Sequence, residues 1–185
     1  GAPTVSVFLR PPGVIPLGGS TTICCRCLCH SGNIVLYKDG CQLRTLELHG
    51  SMAEFFISHA TQRDRGLYSC HYVDGGNGTV LTHSDTVEVR VEEFHLPKPV
   101  LSILPGHEVA TGADVMLQCA IKHYRVVCFL YLEGQANALI SVGHTDFYLS
   151  QVDQSKGGRY SCQCYTKGTP INWSGVSNVL ELVVK

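Results

Sequence analysis

One five-residue pattern occurs twice in this chain, and its surroundings repeat with it. Gly66-Leu67-Tyr68-Ser69-Cys70 lies near the end of the first half, and Gly158-Arg159-Tyr160-Ser161-Cys162 near the end of the second. Cys70 follows Cys25 by 45 residues and Cys162 follows Cys119 by 43, with the halves offset by 92 to 94 residues. A tyrosine two residues before the second cysteine of a distant pair marks a β-sandwich. Its ring tucks under a corner and its hydroxyl bonds upstream backbone. The repeat predicts two tandem sandwich domains, residues 1–94 and 95–185, each stapled by one disulfide, Cys25–Cys70 and Cys119–Cys162. A domain this short buries a limited core, and closing a loop of about 45 residues offers roughly 4 kcal/mol in the chain-entropy model.

Ten cysteines point to an oxidising compartment. The 14 basic and 15 acidic residues form no basic run, which argues against nucleic acid, heparin or anionic lipid as partners. No stretch approaches the roughly 20 apolar residues of a membrane helix, and no signal peptide is read. The expectation is an extracellular chain: the ectodomain of a single-pass cell-surface protein, or a secreted form. Asn77-Gly78-Thr79 and Asn172-Trp173-Ser174 are N-glycosylation acceptors in predicted loops.

Apolar residues alternate with period two, broken by Gly, Pro and Asn, so the chain reads as all-β. Thr4–Phe8 alternates and then meets Pro11-Pro12-Gly13, as suits a first strand that switches sheets. Thr21, Ile23 and Cys25 form one inward set, and Val115, Leu117 and Cys119 the other. The next strands, Ile34–Lys38 and Val127–Tyr131, run into the turns Asp39-Gly40 and Glu133-Gly134. The connection Glu92–Pro99 holds two prolines and is too stiff for a flexible tether. It predicts a short bent elbow, with Leu17, Val91, Phe94 and Leu96 packed at it.

Cys164 lies two residues past Cys162 on one strand, and Cys128 two residues before inward Leu130 on the neighbour. Cross-strand geometry brings them level, as a third disulfide or as two buried thiols; we take the disulfide. Cys24, Cys27, Cys29 and Cys41 allow three connectivities, which sequence does not choose between. Cys24 and Cys27 with His30 have the outline of a zinc site, but only Cys41 and His49 remain as further ligands. Disulfides or free thiols fit the compartment better, so no metal and no cofactor is expected. Nucleophile elbows, phosphate-cradling glycine loops and H-E-x-x-H helices are absent, which argues against an enzyme. Among nine histidines, His71 and His83 are the ones to watch for a pH response, against the plainer reading of solvated loop residues.

Neither half carries a tryptophan on its third strand; Leu36 and Leu130 stand in its place. The ending Trp173-Ser174-Gly175-Val176-Ser177-Asn178-Val179-Leu180-Glu181-Leu182-Val183-Val184 resembles the W-S-x-P-S-D-x-L-E-L-V-V close of the leukocyte receptor complex immunoglobulin-like receptors. That family includes the killer-cell and leukocyte receptors, the IgA Fc receptor, glycoprotein VI, OSCAR and the chicken receptors. Leu81–Val89 is a weaker copy, and Leu96–Ser102, Leu36–Gly40 and Leu130–Gly134 are also similar. The chain departs at Val176, at the missing Trp of the first copy, and at Lys156 where the first half has Asp64.

The resemblance implies two C2/I-type immunoglobulin-like domains and the ligand-binding region of a leukocyte-type receptor regulating immune-cell activation. Its protein ligand would be a class I histocompatibility molecule, an antibody Fc or collagen, with signalling through an adaptor and a membrane helix outside this sequence. A collagen-binding co-stimulatory receptor of the OSCAR or glycoprotein VI type, or a non-signalling adhesion module, is the alternative. Sandwich loops cluster at the two ends. Candidate contacts are His30, Asn33, His49 and Asp74 on the tip of domain one. On domain two they are Lys122, Tyr124, Arg125, Tyr165, Lys167 and Trp173. Trp173 is read either as part of an exposed aromatic cluster or as cover for a strand end.

Overall fold

The computed structural model describes residues 3–141 and 145–185. The chain divides into two compact units, Gly1–Val91 with Gly134–Ala136, and Glu92–Glu133 with Asn137–Lys185.

Unit 1 is built from β1 (Val5–Arg10), β2 (Ile15–Pro16), β3 (Thr21–Cys27), β4 (Asn33–Lys38) and β5 (Cys41–Leu46), then β6 (Met52–Ile57), β7 (Gly66–Val73), β8 (Val80–His83), β9 (Val87–Val89) and β10 (Val91–Glu92). One sheet runs β1-β3-β6 and the facing sheet β5-β4-β7-β8, with β9 also on β7. Beyond the prolines the chain leaves β3, and β2 pairs with β10, so the first strand does switch sheets. Asp39 (φ 51°) and Gly40 (φ 80°) make the positive-φ turn between β4 and β5. Ile23, Cys25, Leu36, Cys70, Val89 and Val91 form the centre of the core. Leu36 pairs with Cys70 in register, beside the Cys25–Cys70 disulfide.

Unit 2 contains β11 (Phe94–Leu96), β12 (Val100–Leu104), β13 (Glu108–Val109), β14 (Val115–Ala120) and β15 (Val126–Leu132), then β16 (Leu139–Ser141), β17 (Asp146–Leu149), β18 (Gly158–Thr166), β19 (Trp173–Ser174) and β20 (Leu180–Val184). Its sheets are β12-β14-β17 and β11-β19-β18-β15-β16, with β20 on β18 and β13. The expected boundary after residue 94 falls inside β11, whose Phe94 lies opposite Trp173 and whose Leu96 lies opposite Ser174. Val91 is instead fully buried in the core of unit 1.

The repeated pattern has the same function in both units. Tyr68 donates its hydroxyl to Asp64 O at 2.7 Å, and Tyr160 to Lys156 O at 2.5 Å. Each carbonyl belongs to a short 3-10 turn, Gln62–Asp64 or Gln154–Lys156. In unit 1 Thr61 accepts from Arg63 N and Asp64 from Thr61 N, a capping box; in unit 2 Asp153 takes the place of Thr61, accepting from Ser155 N, and Lys156 stands where Asp64 closed the box. Gly158 is favoured by its positive φ, and both glycines sit close under a neighbouring side chain. A Cβ on Gly158 (φ 142°) would come within 2.9 Å of Leu132 Cδ1, and one on Gly66 within 2.9 Å of Asp39 Oδ2. Burial raises the pKa of both tyrosines to about 12, with Asp64 adding to the effect at Tyr68.

Candidate ligand-binding surfaces

The tip of unit 1 gathers its loops by backbone hydrogen bonds. Cys27 N donates to Ser51 O and His49 N to Met52 O, each at 2.8 Å, while the Tyr72 hydroxyl donates to Ser31 O. Asp74–Thr79 is closed by Asp74 N to Thr79 O and Gly78 N to Asp74 O. His30, Asn33 and His49 are exposed there; Asp74 is half-buried and accepts from Gly76 N at 2.7 Å. Asn77 is exposed and accepts from Thr79 N at 3.0 Å. Cys27 is joined to Cys29, which removes Cys27 from the zinc reading. Cys24 is buried, and Cys41 carries an exposed thiol on the sheet edge.

In unit 2, Lys122, Tyr124, Arg125 and Lys167 are exposed. The two loops holding them meet at the Val126–Thr166 pair that ends the β15–β18 ladder. Tyr124 is stacked on His123 and lies 83% exposed. Trp173 is only 4% exposed, so it offers no surface of its own. Its ring lies 4.8 Å from Tyr165 and 6.1 Å from Phe129, and β11 and β18 flank its strand. Asn172, beside it, is pinned to Thr166 through both its N–H and its carbonyl. Of the expected elbow residues, Leu17 is exposed, while Phe94 and Leu96 are half-buried in β11.

The buried Trp supports an aromatic face of which the candidate residues included Tyr165 but missed Phe129 and Tyr131. Alternation along β15 turns Cys128 and Leu130 inward and Phe129 and Tyr131 outward. Phe129 stacks with Tyr131 at 6.3 Å and with Tyr165 at 5.6 Å. Ile140 of β16, 60% exposed, lies opposite Phe129. Gln163 is fully buried among them; its Oε1 accepts from the Tyr131 hydroxyl at 3.1 Å and its Nε2 donates to Ser174 O at 3.0 Å. The signal was present in sequence, because an inward Cys128 and Leu130 imply an outward Phe129 and Tyr131.

The corresponding sheet of unit 1 carries Tyr37, His71 and His83. His71 stacks on Tyr37 with centroids 3.8 Å apart and on His83 at 5.3 Å. Burial, then the neighbouring His83, holds the His71 pKa below its ordinary value. Under the aromatic face, the sulfurs of Cys119, Cys128 and Cys164 lie within 4.8 Å of one another. All three are in disulfides, so no thiolate is available there for a metal.

No protein-family model matches the chain. Human immunoglobulin superfamily member 1 is 32% identical over 96% of this chain, which spans 14% of that protein. The human osteoclast-associated immunoglobulin-like receptor is 34% identical over 94% of this chain, which spans 63% of its length. A solved structure, the human OSCAR ligand-binding domain, is 32% identical, covers 97% of each chain and gives a TM-score of 0.47. Its relatives are immunoglobulin-like receptors of the osteoclast-associated, myeloid and leukocyte types. Each unit here is a β-sandwich stapled by one long-range disulfide, Cys25–Cys70 in unit 1 and Cys119–Cys162 in unit 2. No helix among the described residues is long and apolar enough to cross a membrane.

Proposed function

We propose that this chain is the extracellular ligand-binding region of a cell-surface immune receptor. It reads a protein ligand through the aromatic face Phe129, Tyr131 and Tyr165. The single observation that carries this reading is the ladder of half-exposed rings backed by buried Trp173. Large rigid rings held by a packed base give contact area at low entropic cost. A flat aromatic row without intervening charged side chains suits the pyrrolidine rings of a polyproline-II chain. Among the ligands open to the family, collagen's triple helix fits that chemistry best.

Class I histocompatibility molecules and antibody Fc are the competing ligands, and the unit 1 tip at His30, Asn33, His49 and Asp74 would take an antibody Fc. The test is a binding screen of the Fc-fused chain against triple-helical collagen peptides, class I molecules and antibody classes. Collagen peptide should bind, and Tyr165→Ala should weaken it about thirtyfold, the loss of one hot-spot residue of about 2 kcal/mol. His49→Ala should leave that binding unchanged. Binding to class I or Fc alone, or a collagen affinity indifferent to Tyr165, overturns the reading.

A further inference from the structure

The outward positions of the two aromatic-bearing sheets match, but their chemistry differs. Tyr37 and Tyr131 each stand two residues before the acidic-Gly turn, and His71 and Gln163 each follow the second core cysteine. In unit 2 the tyrosine is held by an amide, which does not titrate. In unit 1 it is held by an imidazole, which does.

His71 pairs in register with Val35 on one side and His83 on the other. The titratable groups facing it are Tyr37 from β4 and His83 from β8. Its Nε2 lies 3.1 Å from Ser69 Oγ, while its Nδ1 is buried without a hydrogen-bond partner. His83 Nδ1 is 2.8 Å from Ser84 O, so that nitrogen carries the proton. The edge strand β8 is four residues long, its pairing with β7 shifts between Tyr72 and Val73, and it carries the end of the Asp74–Thr79 loop.

We propose that the Tyr37–His71–His83 stack is an acid-sensitive latch. It holds β8, and with it the Asp74–Thr79 loop, onto β7 while both imidazoles are neutral, and releases them as the imidazoles take up protons. Protonating His71 places an N–H in a buried position with no acceptor. It also sets two like charges one stacking distance apart. The sign follows from burial: the closed form favours neutral His71. The latch is therefore at full strength above the ordinary histidine pKa of about 6.5 and is lost as pH falls below it. Unit 2, with Gln163 at the matching position, has no such response.

The test is amide hydrogen exchange of the whole chain at about pH 7.5 and pH 5.5, each referred to the intrinsic exchange rate. Amides of 80–83 should lose protection about tenfold at the lower pH, while those of β18 stay unchanged. His71→Gln installs the unit 2 residue and should abolish the acid response. Equal protection at both pH values overturns the latch, and so does an acid response that survives in His71→Gln. A proton NMR titration of the wild-type imidazoles decides the matter even if that variant does not fold. His71 should titrate below the ordinary histidine value, and a His71 titrating above that value overturns the proposal.

Discussion

Cys119 Sγ lies 3.6 Å from Cys164 Sγ, although the two cysteines belong to different disulfides. One bond joins the sheets; the other joins neighbours, since Cys128 and Cys164 are directly opposite with Cα atoms 4.0 Å apart. In an unfolded chain that keeps either bond, the second closes only a small ring of about 11 residues, through 119–128 and 162–164. Replacing either pair with alanines should then cost about 3 kcal/mol, and removing the remaining one about 4 more. Urea unfolding of the two double variants and the quadruple variant measures this. A quadruple variant as stable as the doubles would refute it.

Tyr68→Phe and Tyr160→Phe should each cost about 1 kcal/mol, the net value of one hydrogen bond to a turn carbonyl. Both hydroxyls have a pKa raised to about 12 in the folded protein. The stability they add is complete below about pH 10, the ordinary tyrosine value, and is lost as pH rises through about 12. Ultraviolet titration should show Tyr68 and Tyr160 ionising together with alkaline unfolding. Eight equivalent tyrosines titrating near pH 10 would contradict the corner geometry.

Trp173 is the only tryptophan and is buried beside Tyr165. Its emission should be blue-shifted and resist quenching by iodide. Because it lies in unit 2, its unfolding curve should track that unit and remain unchanged when Cys25 and Cys70 are both replaced by alanine. Strong iodide quenching in the native protein would place the ring at the surface instead.

Asn77 projects from an exposed loop, and the space around Gly78 is open. Expression in mammalian cells should yield a glycan at Asn77, seen as a mass loss on glycosidase treatment and abolished by Asn77→Gln. Asn172, half-buried and flanked by buried Trp173 and Ser174, should be modified at lower occupancy. Peptide mapping with the reverse ranking would show that folded exposure does not govern these sites.

What the sequence disclosed was local in origin. Tyr68 and Tyr160 announce their corners, and the level placement of Cys128 with Cys164 follows from alternation around Leu130. Leu36 and Leu130 were legible as core because each stands one strand from a core cysteine. The burial of Trp173 was not legible, because it depends on β11, nearly 80 residues earlier, pairing parallel with β19. No local pattern encodes that register. The Cys27–Cys29 bond was hidden for another reason, since spacing alone leaves cysteine connectivity undetermined. The His71–His83 contact needed the register of β7 with β8, which an irregularity shifts.

In unit 2, β13 pairs parallel with β20 through Glu108–Val183 and Val109–Val184. Val183 N donates to His107 O, Lys185 N to Val109 O and Thr111 N to Lys185 O, all at 2.8 to 2.9 Å. One strand lies near the unit's entry and the other at its exit. A pull along the chain loads these bonds simultaneously in shear, so they must fail as a group. Unzipping at a hairpin would break them singly. Unit 2 should therefore resist a pull along its chain more than a hairpin with the same bonds.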